Sequence, residues 1–312
     1  MNLFSVTFSN VLLTLMYLIP GYLLRKAGKV RPEHMGSVSA ILLYICGPCM
    51  FLNSLTQMEP SRELSLRMLQ FFLVTLVIQL LFLAVLFLIL GKRRQEFSNR
   101  IMSLAMVMGN VGFFGLPIVQ AVFPDAPEAA AYSCIICASM NILAWTVVVF
   151  FLTGDRKYIS LKAAVVNPTV LSVALGMALY ALRAREWMPE LLQGGIRTVG
   201  SISTPLCMFI LGIRLSTMGV KELFTQRTVW LAVVGKLIIF PLFSYALVLP
   251  IPFSPVFKAS ILILCATPCA SIILNLAEIH HTGEGLAANC ALLSTLLSVI
   301  TIPLLSLLLS VS

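Results

Sequence analysis

Gly109-Asn110-Val111-Gly112-Phe113-Phe114-Gly115-Leu116-Pro117 places three glycines and one proline within nine residues of an apolar run over 101–123. Glycine raises the entropic cost of helix, and Pro117 cannot donate to the carbonyl of Phe113. A second apolar run, 257–279, contains Ala266-Thr267-Pro268-Cys269-Ala270-Ser271-Ile272-Ile273-Leu274-Asn275. There Pro268 frees the carbonyl of Leu264, with Thr267 and Ser271 beside it. Backbone groups freed within a bilayer are tolerated only where protein or a wet cavity satisfies them. Both interruptions are therefore expected to face an interior site; a simple kink filled by a neighbouring Ser or Thr is the alternative at each.

Composition sets the solvent in which these runs sit. Of 312 residues, 59% are hydrophobic and 11% charged, with mean hydropathy +1.00. Soluble domains run nearer 25% charged, which excludes a cytosolic globular enzyme, a nucleic-acid-binding protein and a disordered chain. Apolar segments fall at about 5–24, 35–55, 68–90, 101–123, 129–152, 163–182, 193–213, 228–250, 257–279 and 286–309. At about 20 residues per span these are ten candidate transmembrane helices, with no room for a soluble domain. The first segment lacks a basic flank and a small-residue cleavage site and is expected to be retained. All eight Cys lie inside the apolar runs, where they read as packing residues.

The interruptions repeat. Asn110 and Pro117 are seven residues apart; Pro268 and Asn275 are also seven apart in reversed order, and both pairs are offset by 158. Pro48 and Pro205, offset by 157, each lead into a Cys-Met-Phe run. Two halves follow, 1–155 and 156–312, with five segments each. Because five is odd, the second half enters the membrane upside down, as in inverted-repeat transporters. The expected fold is thus an all-α polytopic membrane protein of ten helices in two inverted five-helix repeats.

Charge gives the expected orientation. Fourteen basic residues lie in the odd connections, among them Lys92, Arg93, Arg94 and Arg100 in the third and Arg214, Lys221 and Arg227 in the seventh. Six lie in the even ones. The positive-inside rule then places the odd connections in the cytoplasm and both termini outside a cell membrane, and accounts for the net charge of +9 without nucleic acid. The ninth connection, with His280, His281 and Glu284, carries no Lys or Arg and bears least on this orientation.

Polar residues within the spans are few. Only one acid, Glu278, approaches a span; the three His are at connections. Such a set is poorly suited to proton relay through carboxylates or to intramembrane catalysis and better suited to a neutral or anionic substrate. Backbone carbonyls remain available to a cation such as Na⁺. Lys236 stands well inside segment 8, where a basic residue costs about 2.5–3.5 kcal/mol on insertion scales. It either faces a cavity as a substrate ligand or snorkels to the interface. Arg214, nearer its helix end, reads as snorkelling. The amides of Asn110 and Asn275 can hydrogen-bond a carboxylate or tie the helices together. Asn141 and Asn289 read as structural or interfacial.

These motifs resemble the auxin efflux carrier family, which includes bacterial malonate and malate permeases. The resemblance rests on Asn110 to Pro117, Asn167-Pro168, Pro205 with Leu211-Gly212, Ala266 to Asn275, and Ser294-Thr295-Leu296 through Ile302-Pro303. It implies broken helices 4 and 9 crossing at their prolines, substrate beside the crossover, and a fold similar to bile-acid sodium symporters. The connection over 154–161 is too short for the long central loop of plant members. The expected function is secondary transport of a small organic anion, with Asn110, Gly112, Pro117, Lys236, Thr267, Pro268, Ser271 and Asn275 as candidate substrate contacts. No cofactor or metal is expected, and the resemblance makes a homodimer plausible. A cation-coupled symporter of the bile-acid type is the nearest alternative.

Overall fold

The structure, a computed structural model, describes residues 2–217 and 220–310. The side chains of Arg94 and Lys221, counted above among the basic connections, lie outside the described residues. Helices are labelled by the apolar segment they form. In chain order these are α1 (Leu3–Lys26), α2 (Met35–Thr56), α3 (Arg62–Arg93), α4a (Phe97–Val107), α4b (Val111–Val122), α5 (Glu128–Thr153) and α6 (Pro168–Ala181). Then follow α7 (Glu190–Thr217), α8 (Arg227–Val248), α9a (Pro255–Cys265), α9b (Ser271–Ile279) and α10 (Glu284–Leu309). Seven of them, α1, α2, α3, α5, α7, α8 and α10, are long and apolar enough to cross a membrane.

The remaining segments fall short of that length for identifiable reasons. Segments 4 and 9 are each cut in two. Helix α6 begins late because Asn167-Pro168 starts it afresh: the Asn167 side chain accepts from the amide of Val170, and Pro168 occupies the first turn. Its 14 residues span about 21 Å, less than a hydrocarbon core of about 30 Å. Helix α9a starts in the same manner, with Ser254 accepting from Phe257 ahead of Pro255. Ser61 accepts from Leu64 at the head of α3.

Three intramembrane prolines follow a wide, π-type turn: Leu42–Cys46 before Pro48, Val111–Gly115 before Pro117, and Gly235–Ile239 before Pro241. Proline lacks the donor for the carbonyl four residues back, and the preceding turn widens so that amides reach the fifth carbonyl instead. Gly47 N reaches Leu42 O, Gly115 N reaches Asn110 O and Phe240 N reaches Gly235 O in this way. Ala144–Val148 forms a fourth wide turn with no proline beside it. Pro117 accordingly does not break its helix, contrary to the expectation that helix 4 crosses at its proline. The carbonyl it frees, Phe113 O, accepts Thr204 Oγ1 at 2.7 Å. The break in segment 4 lies at residues 108–110 instead.

Close contacts join the segments. A Cβ on Gly21 would overlap the carbonyl of Phe209, and one on Gly212 that of Leu18, so α1 and α7 meet backbone to backbone. Such small-residue contacts drive association where lipid is as apolar as the helix surface. Helix α3 is tied to α5 by Gln79 Nε2 donating to Ser139 Oγ at 3.1 Å and by Phe71 stacking on Tyr132 at 4.3 Å. Among the seven long helices, α5, α8 and α10 are the most enclosed and α1 and α2 the least.

Candidate functional site at the helix crossover

The two broken segments cross at their breaks. Residues 108–110 and 266–270 form an isolated antiparallel bridge between Gly109 and Cys269. Asn110 N donates to Pro268 O at 2.8 Å, and Ala270 N donates to Met108 O at 3.0 Å. Cys269 N donates to Ser294 Oγ at 2.9 Å from α10. Backbone groups that leave both helices at membrane depth are thus satisfied largely by one another. A Cβ on Gly109 would lie 2.6 Å from Thr267 Oγ1 and 2.7 Å from Lys236 Nζ, so this close approach requires glycine.

Crossing at the breaks gives the centre two unlike faces. Helices α4a and α9a arrive with their C-terminal ends, and α4b and α9b leave with their N-terminal ends. The former carry partial negative charge and the latter partial positive charge. A cavity of ≈ 420 Å³ lies against the N-terminal ends, bounded by Gly109 to Phe113 of one segment and Ala270 to Ile272, Asn275 and Ile279 of the other. This size suits a small ligand. The amides of Ser271 and Ile272 meet no backbone acceptor among the described residues. Asn110 is buried, and its amide is directed to Cys207 Sγ at 3.8 Å. Gly112 packs where a Cβ would touch the Phe51 ring at 3.2 Å and Cys137 Sγ at 3.3 Å.

Arg214 of α7 is the one basic side chain in the cavity wall, and no acidic side chain lines it among the described residues. Its Nη1 donates to Glu278 Oε1 of α9b at 2.7 Å. The pairing ties α7 to α9b one turn beyond Asn275, and the wall that Arg214 and Asn275 share otherwise offers amides, hydroxyls and apolar surface.

A sequence profile described as membrane transport protein matches residues 6–163 and 157–306. The chain belongs to this family. The resemblance to auxin efflux carriers holds at this level. An uncharacterized transporter of Methanocaldococcus jannaschii is 24% identical over 302 residues, a match that covers 94% of this chain and 96% of that one. The protein is a multi-pass membrane transport protein.

Of the candidate contacts in this transport protein, four line the cavity: Asn110, Gly112, Ser271 and Asn275. Thr267, Pro268 and Lys236 are buried behind the crossover and are absent from its wall. Thr267 Oγ1 donates to Leu264 O at 2.7 Å, the carbonyl that Pro268 frees. Pro117 lines a separate cavity of ≈ 290 Å³, together with Asn53, Gln120 and Arg197. Lys236 Nζ takes neither of the two positions the sequence offered: it does not line the cavity and it does not reach an interface. It is fully buried, 2.9 Å from Cys265 O and 3.4 Å from Val107 O.

Arg214 and Asn141 had the appearance of an anchor and a structural residue, yet both belong to the cavity wall. The legible sign was that Arg214 and Glu278 are opposite charges at the C-terminal ends of spans 7 and 9; their pairing across 64 residues is a matter of packing. Asn167 also reaches the wall, but its amide is spent locally: it caps α6 and donates to Ala163 O and Ala164 O.

Proposed function

We propose that this chain is a secondary transporter of a small carboxylate-bearing organic anion, working by alternating access at the α4/α9 crossover. In this reading all ten apolar segments cross the membrane as two inverted halves, 1–155 and 156–312. The observation that carries it is the cavity itself: two half-helix N-termini, unpaired amides of Ser271 and Ile272, and Arg214 meet at one space without a lining carboxylate. Anions are favoured at helix N-termini, and a guanidinium offers the matching fork for a carboxylate. Arg214 would exchange Glu278 for substrate, while Asn110 and Asn275 contribute neutral hydrogen bonds.

The cavity reaches toward the odd connections, through Ser39 near the start of α2, Arg214 near the end of α7 and Ile279 at the end of α9b. With those connections cytoplasmic by the charge bias, this conformation is the inward-facing one. The smaller cavity beside Pro117 is then the outer vestibule. Between the two stand the Phe51 and Phe113 rings, 6.4 Å apart, and the Thr204 to Phe113 hydrogen bond. The two profile matches meet at residues 157–163, beside the proposed division of the chain.

The test is uptake of radiolabelled mono- and dicarboxylates into proteoliposomes. A carrier saturates and shows trans-stimulation by internal substrate. Uptake of neutral analogues in preference to anions would refute the anion reading, and a chemically altered product would refute transport as the activity.

A further inference from the structure

Lys236 is the most deeply buried charge among the described residues and takes no part in the cavity. Its surroundings specify what it does. Nζ lies 2.9 Å from Cys265 O and 3.4 Å from Val107 O, and 4.8 Å from the centroid of the Phe240 ring. Val107 is the last residue of α4a, and Cys265 is the last residue of α9a. No carboxylate lies within ion-pair distance of it among the described residues.

A helix leaves its last four carbonyls without intrahelical partners, and here two helices end face to face in the membrane. Most of those carbonyls can be accounted for. Leu104 O accepts Met108 N, and Ala105 O faces Cys269 Sγ at 3.2 Å. Leu262 O accepts Ala266 N, and Leu264 O accepts Thr267. The terminal pair, Val107 O and Cys265 O, is left to Lys236. Each C-terminus carries about half a negative charge, so the two together match one cation.

The chain is shaped to deliver it. The wide turn Gly235–Ile239, imposed ahead of Pro241, contains Lys236. Gly235 lets α8 approach α4a so closely that a Cβ there would lie 2.6 Å from the Met106 side chain. Gly109 leaves open the place that Nζ fills.

We propose that the C-terminal face of the crossover is a monovalent-cation site occupied by the chain's own Lys236 ammonium. Half-helix C-termini and unwound carbonyls at a crossover are the groups that coordinate coupling cations in other transporters. Here the cation is covalently attached, so holding the crossover together requires no alkali ion. Lys236 is thus a positioning residue: it fixes α4a against α9a and, through them, the N-terminal ends on the far side.

Chemical rescue tests this independently of any substrate. The full-length Lys236→Ala variant is purified in detergent, and thermal unfolding is followed in choline chloride, NaCl, KCl and propylammonium chloride at equal ionic strength. Propylammonium restores the atoms removed; choline is too large for the space. The variant is expected to unfold at lower temperature than wild type in choline and to recover, saturably, in propylammonium or a small alkali ion. Wild type should be indifferent to the exchange. If the variant cannot be isolated in choline, propylammonium present from solubilisation onward should permit its recovery. Lys236→Met, which fills the volume without charge, should lose stability and gain nothing from any of the salts. The proposal is overturned if no cation outperforms choline for Lys236→Ala, if Lys236→Met is as stable as wild type, or if wild type itself requires sodium or potassium for stability. Failure of carboxylate uptake would refute the proposed substrate class and leave these outcomes unaffected.

Discussion

The crossover presents the same two segments on both of its faces, yet the faces are chemically opposite. One gathers the N-terminal ends of α4b and α9b around a cavity of ≈ 420 Å³ with Arg214, Asn110 and Asn275 on its wall. The other gathers the C-terminal ends of α4a and α9a around a buried Lys236, with no space left. The positive face opens to the cavity; the negative face is sealed and its counter-charge is part of the chain. Breaking two helices at one point creates both faces at once, because every helix end made by a break has a partner of opposite polarity. In this chain the negative face is matched by an ammonium of the chain itself, and the positive face is the one that opens to the cavity.

Substitutions that separate the faces should show this division. Gly109→Ala is expected to have the largest effect, because its Cβ would fall 2.6 Å from Thr267 Oγ1 and 2.7 Å from Lys236 Nζ, both fixed by hydrogen bonds. Overpacking of this kind costs about 1–3 kcal/mol, read as a lower unfolding temperature in detergent. Gly112→Ala, facing the cavity at 3.2–3.3 Å from Phe51 and Cys137, should cost less stability. Equal losses for the two glycines would erase the distinction between a sealed and an open face.

Arg214→Gln comes next and should act on binding. Losing a hydrogen bond to a charged partner costs about 1.5–3 kcal/mol, a tenfold or greater weakening of carboxylate affinity. A neutral analogue should bind as before. Titration calorimetry with both ligands checks it, and equal weakening of the two would move the anion's counter-charge away from Arg214.

Asn275→Ala and Asn110→Ala should follow, at about 0.5–1.5 kcal/mol of affinity for a neutral hydrogen bond. Asn110→Ala is expected to spare the crossover itself, because that residue joins the bridge through its backbone amide to Pro268 O. A variant that unfolds early but binds normally would reassign the amide to helix–helix contact.

The smallest effect belongs to Pro117→Ala. The wide turn and the Thr204 hydroxyl already accommodate the missing donor, so the change should cost only about 0.4–1 kcal/mol through the unfolded chain. Pro268→Ala should reduce transport more, because Pro268 lies within the bridge and a helix regained there would withdraw its carbonyl from Asn110. Comparable transport rates for the two proline variants would count against placing the break at residues 108–110.

The sequence alone determined that the chain is helical and membrane-embedded, since transfer of apolar residues from water depends on composition and length rather than on packing. It also determined where helices are interrupted: Gly109 to Pro117 and Ala266 to Asn275 lack the local donors or the stiffness to continue. Even the satisfaction of Leu264 O by Thr267 was readable, being a contact over three residues. Which groups face one another was not readable, because helices that are apolar on every side carry no period that orients them. The displacement of the break from Pro117 to residues 108–110 depends on Pro268 O being available to Asn110 N, 158 residues away. The pairing of Arg214 with Glu278 depends on α7 lying beside α9b. The placement of Lys236 needed both distant carbonyls and the widened turn that carries it inward. Local chemistry fixed the breaks, and tertiary packing decided which end of each broken helix faces the cavity and which meets the protein's own charge.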